Sequence, residues 1–337
     1  MGSHRRTAPS SGSERSTALA LGLLSAAATA FGAVPATAAP QEDTRAEVDR
    51  LYREAEKATE AYNAADERAD ALRREIADAQ DGIARKQQRV NTMRETLGSL
   101  AGSQYRSGGL DPALSLLLSE DPEDYLARAS VLDRIGVHQA AELKKLHGTL
   151  RSLSQDRAEA AKRLGALERS RKAAATHKRT VEHKLAEARR LLNSLPAGER
   201  AAWDRASRSG RTDLLGPGDA PASGRAAAAV AAARSALGRP YVWGANGPSG
   251  FDCSGLTQWA YAQAGVALPR TSQAQRYAGR QVPLSEARPG DLVLYRSDAS
   301  HVAMYTGNGQ VIHAPYPGAP VRYDPVGMMP VSSVTRV

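Results

Sequence analysis

The stretch GFDCSGLTQWAYAQAG, residues 250–265, holds the only cysteine of a 337-residue chain. Within it Leu256, Trp259, Ala260 and Ala264 recur at helical spacing and Gly265 supplies a stop, so the segment reads as a helix that Cys253 begins. A helix amino terminus presents unpaired N–H groups and positive potential, which lower a thiol's pKa and offer donors to an oxyanion. Cys253 therefore reads as a nucleophile. The competing reading is a small buried hydrophobe.

A thiolate nucleophile needs a base. After residue 225 the chain has two histidines, His301 and His313. GDLVLYR (290–296), HVAMYTG (301–307) and QVIHAP (310–315) read as successive antiparallel strands, the last two joined through GNG. A two-residue Asn308-Gly309 turn would put His301 and His313 on opposite faces. A three-residue Gly307-Asn308-Gly309 loop, with Gly309 left-handed in a bulge, pairs Ala303 with His313 and leaves both histidines on one face, within reach of a ring–ring hydrogen bond. The second register is expected. Cys253 is then the nucleophile, His301 the general base and His313 the group orienting it; the other reading makes both ordinary strand histidines.

RPYVWGANGPSGFDCSGLTQWAYAQAGVALPRTSQAQ, followed in order by RPGDLVLY, HVAMYTGNGQVIHAP and VR, closely resembles the NlpC/P60 family of cell-wall cysteine peptidases across residues 225–337. The resemblance implies a papain-like α+β domain, helices packed on an antiparallel sheet, with a Cys–His–His triad carried by Cys253, His301 and His313. It implies cleavage of peptidoglycan stem peptides, typically between D-γ-glutamyl and diaminopimelate. It places Tyr241 and Ser254 by the oxyanion or substrate, and Asp252 and Ser272, with Arg270 before the latter, near the stem peptide. Helix capping and turn formation compete for Asp252, Arg270 and Ser272, and Trp243 reads as core or cleft wall. No metal or organic cofactor is expected, because thiolate, imidazole and N–H donors suffice for acyl transfer. The alternative is a catalytically silent envelope scaffold that binds stem peptides.

Upstream, residues 201–224 are rich in Gly, Pro, Ser and Asp and read as a flexible linker. From Val48 to Leu100 apolar residues step by three and four, broken at Lys86, which specifies a supercoiled seam roughly 80 Å long. A second stripe runs from Leu132 to Leu195 with Gln139, Arg157, Arg171 and Lys178 at seam positions. Residues 42–200 therefore read as an antiparallel coiled-coil hairpin with its tip around 101–130, where Leu116–Leu118 is either a docking patch or tip packing. Residues 42–95 carry fourteen acidic against eleven basic side chains and 142–190 six against fourteen, a complementarity that helps choose the pairing. The basic arm is either a solvated face or a binder of anionic surfaces.

Residues 1–39 read as a signal peptide: Arg5 and Arg6, an apolar run from about Ala18 to Val34, then small residues. An uncleaved anchor competes with it. Export to the envelope or beyond agrees with a single, unpairable cysteine kept for chemistry. The net charge of +9 suits anionic envelope polymers and lipid headgroups rather than nucleic acid, for which no motif is present. An exported helical hairpin before such a domain also resembles wall hydrolases controlled by a division-associated membrane complex. That implies such a partner, and a hairpin that holds the cleft shut until the partner engages it.

Overall fold

Every seventh residue from Val48 to Val90, and again from Leu51 to Leu72, falls on one stripe, and the computed structural model folds this stripe into α1, Gln41–Arg106. The structure describes residues 41–106, 122–201 and 220–337. The signal-peptide and anchor readings, Leu116–Leu118 and most of the linker lie outside these. α2, Pro122–Ser194, begins inside the stretch expected to form the tip. At about 1.5 Å per residue, 66 and 73 residues make rods of about 100 and 110 Å.

The rods pair antiparallel. Ala55 and Ala58 bury against Val181 and Leu185, Ala69, Leu72 and Ile76 against Leu167, and Val90 and Met93 against Leu146 and Leu153. On α2 the buried residues Leu146, Leu153, Ala160, Leu167, Ala174, Val181 and Ala188 follow a strict seven-residue step. Arg157, Arg171 and Lys178, expected in the seam, are exposed instead, because long cationic side chains can lay their stems on the seam and hold their heads in water. Lys86 is accommodated across the pair by Asp156 at 2.5 Å and Ser152 at 2.7 Å. Leu72 is 1% exposed. Leu72→Ala is expected to cost about 2–5 kcal/mol of hairpin stability, read as earlier loss of helical circular dichroism in denaturant.

In the carboxy-terminal domain α3, Gly224–Ser235, is capped by the Ser223 hydroxyl, and α4, Cys253–Gln263, is capped by the Asp252 carboxylate. The short α5, Ser272–Gln275, follows. Among the described residues the strands are β1 (Arg280–Val282), β2 (Leu292–Tyr295), β3 (His301–Gly307), β4 (Gln310–His313), β5 (Arg322–Pro325) and β6 (Val331–Arg336). They form one antiparallel sheet in the order β1-β6-β2-β3-β4-β5. One face packs Leu292, Leu294, Val302, Met304 and Ile312 against α3 and α4, which carries Cys253 onto the sheet's helix-covered side. The papain-like architecture expected from the sequence is the one observed.

The β3–β4 connection corrects the expected loop while keeping its consequence. The turn is the two-residue Asn308-Gly309, with φ of 52° and 68°, and the extra residue sits at Thr306, where the register shifts. Beyond that bulge Met304 pairs with Ile312, which continues to Ala303 opposite His313. Both histidines therefore share a face. Among the described residues no helix is long and apolar enough to cross a membrane.

Candidate active site

Cys253 opens α4 because Asp252 accepts from the Gly255 N–H at 2.7 Å and closes the first turn. Gly255 must be glycine for this turn: a Cβ there would lie 2.2 Å from the Ala245 carbonyl oxygen. Gly255→Ala is expected to cost about 1–3 kcal/mol and to displace Cys253, read by chemical unfolding alongside the thiol's alkylation rate.

The sulfur of Cys253 and a ring nitrogen of His301 lie within 4.8 Å of each other. His301 Nε2 meets His313 Nδ1 at 2.8 Å with the rings nearly perpendicular, and His313 Nε2 donates to Asp324 at 2.9 Å. Arg322 also bonds the Asp324 carboxylate, at 2.8 Å. Burial lowers the His313 pKa to about 4, so its ring is neutral, with its proton on the nitrogen facing Asp324. Its Nδ1 therefore accepts, and His301 must donate from Nε2. That leaves Nδ1 of His301 on the ring side away from His313. Asp324 was not singled out from sequence; it stands on β5 opposite Val311, two residues from Arg322, and becomes a partner of His313 only once β4 and β5 pair.

Tyr241, buried beside Cys253, has its phenol pKa pushed well up, first by burial and then by the neighbouring thiol and carboxylates. Asp252 is held by Arg270 at 2.6 Å and by the Gly244 N–H at 3.0 Å, so it caps α4 and anchors the adjacent loop at once. Ser272 donates its hydroxyl to the Ala299 carbonyl at 2.7 Å, tying α5 to the β2–β3 loop.

The cleft is filled. Glu56, Glu60 and Asn63 of α1, spaced four and three residues apart and hence on one helix face, reach into it and are buried. Glu56 bonds both His301 Nδ1 and Arg296. Glu60 accepts from the Ser254 hydroxyl at 2.7 Å and the Ser272 N–H at 2.7 Å, and stands 3.7 Å from the Cys253 sulfur. Asn63 donates to Asp252 at 3.1 Å. Aromatic contacts brace the dock at both ends, Tyr52 stacked on Tyr316 and Tyr62 edge-on to Trp243. A pocket of about 340 Å³, lined in part by Glu56, Tyr241, Arg296 and His313, stays open beside the dock.

This docking reverses the expected effect on the thiol. Burial first, then the Glu60, Glu56 and Asp252 carboxylates, push the Cys253 pKa well above its usual value, and these outweigh the helix terminus. Burial opposes ionisation of Glu56, but the His301 and Arg296 charges overcome it and hold the carboxyl down to about 2. Burial and Asp252 raise Glu60 to about 8. With Glu56 at Nδ1 and His313 at Nε2, both ring nitrogens of His301 are engaged. A ring nitrogen engaged by Glu56 is not free to take a proton from the thiol.

A thiol at a helix start, facing an imidazole whose far side is fixed by a second imidazole and a carboxylate, has what acyl transfer through a thioester requires. The class defined by this fold and site is the cysteine peptidases. The family model described as NlpC/P60 family matches residues 238–334. A probable endopeptidase of Corynebacterium glutamicum is 43% identical over 151 residues, covering 43% of this chain and 72% of the relative. A probable endopeptidase of Mycobacterium tuberculosis is 29% identical over 362 residues, covering 91% of this chain and 93% of the relative. The solved NlpC/p60 domain of the peptidoglycan hydrolase SagA is 40% identical, with 33% of this chain and 98% of that one covered and a TM-score of 0.32. The chain belongs to the NlpC/P60 family.

Proposed function

We propose that this chain is an exported peptidoglycan endopeptidase that hydrolyses stem peptides between D-γ-glutamyl and diaminopimelate, and that its helical hairpin keeps it latent. The hydrogen-bonded line from Asp324 through His313 to His301, aimed at Cys253, carries the reading. With α1 withdrawn, His301 loses its carboxylate partner and Nδ1 can accept the thiol proton. The thiolate attacks the scissile carbonyl carbon, and the α4 amino terminus with Tyr241 faces the developing oxyanion. His301 then protonates the leaving amine, and water activated by the same ring cleaves the thioester. Asp252, Ser254, Arg270 and Ser272 line the cleft that Glu60 and Asn63 occupy, where they would meet the stem peptide.

The names of the curated relatives support peptide-bond hydrolysis, and peptidoglycan is named as the substrate class of the similar SagA domain. Export of the chain by residues 1–39 is part of the same reading. So is a division-associated membrane complex that pulls the hairpin away, for which exposed Val131, Val137 and Leu143 on α2 offer apolar contact. The test is mass spectrometry of purified peptidoglycan digested by the full chain or by residues 224–337. Fragments with a newly freed diaminopimelate amine, released faster by the shorter protein, are the expected result. Release of glycan fragments without peptide cleavage, or no release by either protein, would sink the assignment.

A further inference from the structure

We propose that the closed form binds one zinc ion between Cys253, His301 and Glu56, so that zinc locks the hairpin onto the active site. The sulfur, a ring nitrogen of His301 and a Glu56 carboxylate oxygen all lie within 4.8 Å of one another, Nδ1 being the nitrogen that meets Glu56, and all three residues are buried. A tetrahedral zinc site with sulfur, nitrogen and oxygen ligands sets its ligand atoms about 3–4 Å apart, so small side-chain adjustments suffice. The donor set is the borderline-soft mixture that zinc favours.

The surroundings fit as well as the donors. Zinc-bound histidines donate their second ring nitrogen to an acceptor that fixes their orientation. His301 does this to His313, which is itself held by Asp324. Nδ1 of His301 points at the place shared with the thiol and Glu56, where one proton bridges ring and carboxylate. As the ion enters, that proton and the thiol proton leave to solvent, and a thiolate and a carboxylate balance the two positive charges. The pocket lined in part by Glu56, Tyr241 and His313 adjoins the proposed site on the side of its α1 ligand.

Two of the ligands come from the carboxy-terminal domain and one from α1, so the site is complete only when the hairpin is docked. Zinc therefore differs from a simple thiol poison: it selects the latent conformation. The inference concerns the regulation of the site proposed above and rests on that reading for its consequence, while binding itself is measured without peptidoglycan.

The experiment uses the full chain, kept reduced, and zinc alone, with bound metal counted after equilibrium dialysis. One ion per chain is expected. Glu56→Gln is expected to weaken binding by about tenfold or more, and Cys253→Ala to remove it. Glu56→His, which restores a ligand nitrogen, is expected to recover most of what Glu56→Gln loses, separating ligation from docking. Cobalt(II) in place of zinc should show a near-ultraviolet thiolate charge-transfer band that Cys253→Ala lacks. Undiminished affinity in Glu56→Gln, or a cobalt spectrum without the thiolate band, would overturn the site whatever the digestion products are.

Discussion

Cys253→Ala, made in a Glu56→Gln background so that the cleft is accessible, is expected to reduce peptide release by about 10⁴-fold or more. The magnitude follows from the chemistry: without the sulfur no thioester can form, and water alone must attack. The substitution removes one atom from a packed site where Cys253 is 1% exposed, so the fold should persist and circular dichroism should be unchanged. His301→Ala in the same background should lose turnover comparably, because nucleophile and base act as a unit and their losses do not add. Cleavage by the Cys253→Ala protein near the parent rate would remove the thiol from the mechanism.

Glu56→Gln alone is expected to raise activity by about 10²-fold. Removing one partner of a buried ion pair costs about 3–5 kcal/mol, because the other charge stays buried without compensation. Here the Arg296 guanidinium and the His301 ring both lose their carboxylate partner. Arg296 is 21% exposed and recovers some solvation, so a penalty nearer 2–3 kcal/mol on the closed form is the reasonable expectation, which corresponds to about 10²-fold in the closed–open equilibrium. The alkylation rate of Cys253 should rise by a similar factor without any substrate present, since hairpin release uncovers both thiol and base. Lys57→Ala is the matched control. Its partner Asp298 is 3.5 Å away and the lysine is 71% exposed, so it should change neither rate measurably. If Glu56→Gln leaves both rates at the wild-type level, the hairpin does not restrain the enzyme through this carboxylate.

The two variants act in opposite directions on one site, and together they separate catalysis from restraint. A protein that gains thiol reactivity on losing Glu56 but never cleaves peptidoglycan would be a regulated binder; one that cleaves at the same rate with or without Glu56 would be an enzyme with a passive tether.

The heptads of both arms, the helix that Cys253 opens and the alternation that puts His301 and His313 on one face were all legible in the chain, because each is a local periodicity that dictates which way side chains point. Even the misjudged turn left the histidine pairing intact: a bulge at Thr306 supplies the same one-residue offset as the expected longer loop. The seam cations were misplaced because a heptad position limits where a Cβ lies, while a long side chain chooses where its charge goes.

What only tertiary structure decided is the electrostatic state of the site. Glu56, Glu60 and Asn63 are polar residues on a helix next to an apolar stripe, and their spacing is indistinguishable from that of a solvated face until the carboxy-terminal domain packs on it. Asp324 needs the β4–β5 register to reach His313. The sequence by itself determined a candidate nucleophile, a candidate base and two long helices; proximity across some 190 to 245 residues determined that carboxylates of α1 meet the thiol and the imidazole and push the thiol pKa up. Periodicity is written residue by residue, whereas a pKa depends on every charge and every loss of water around the group, and those are set by the chain's global path.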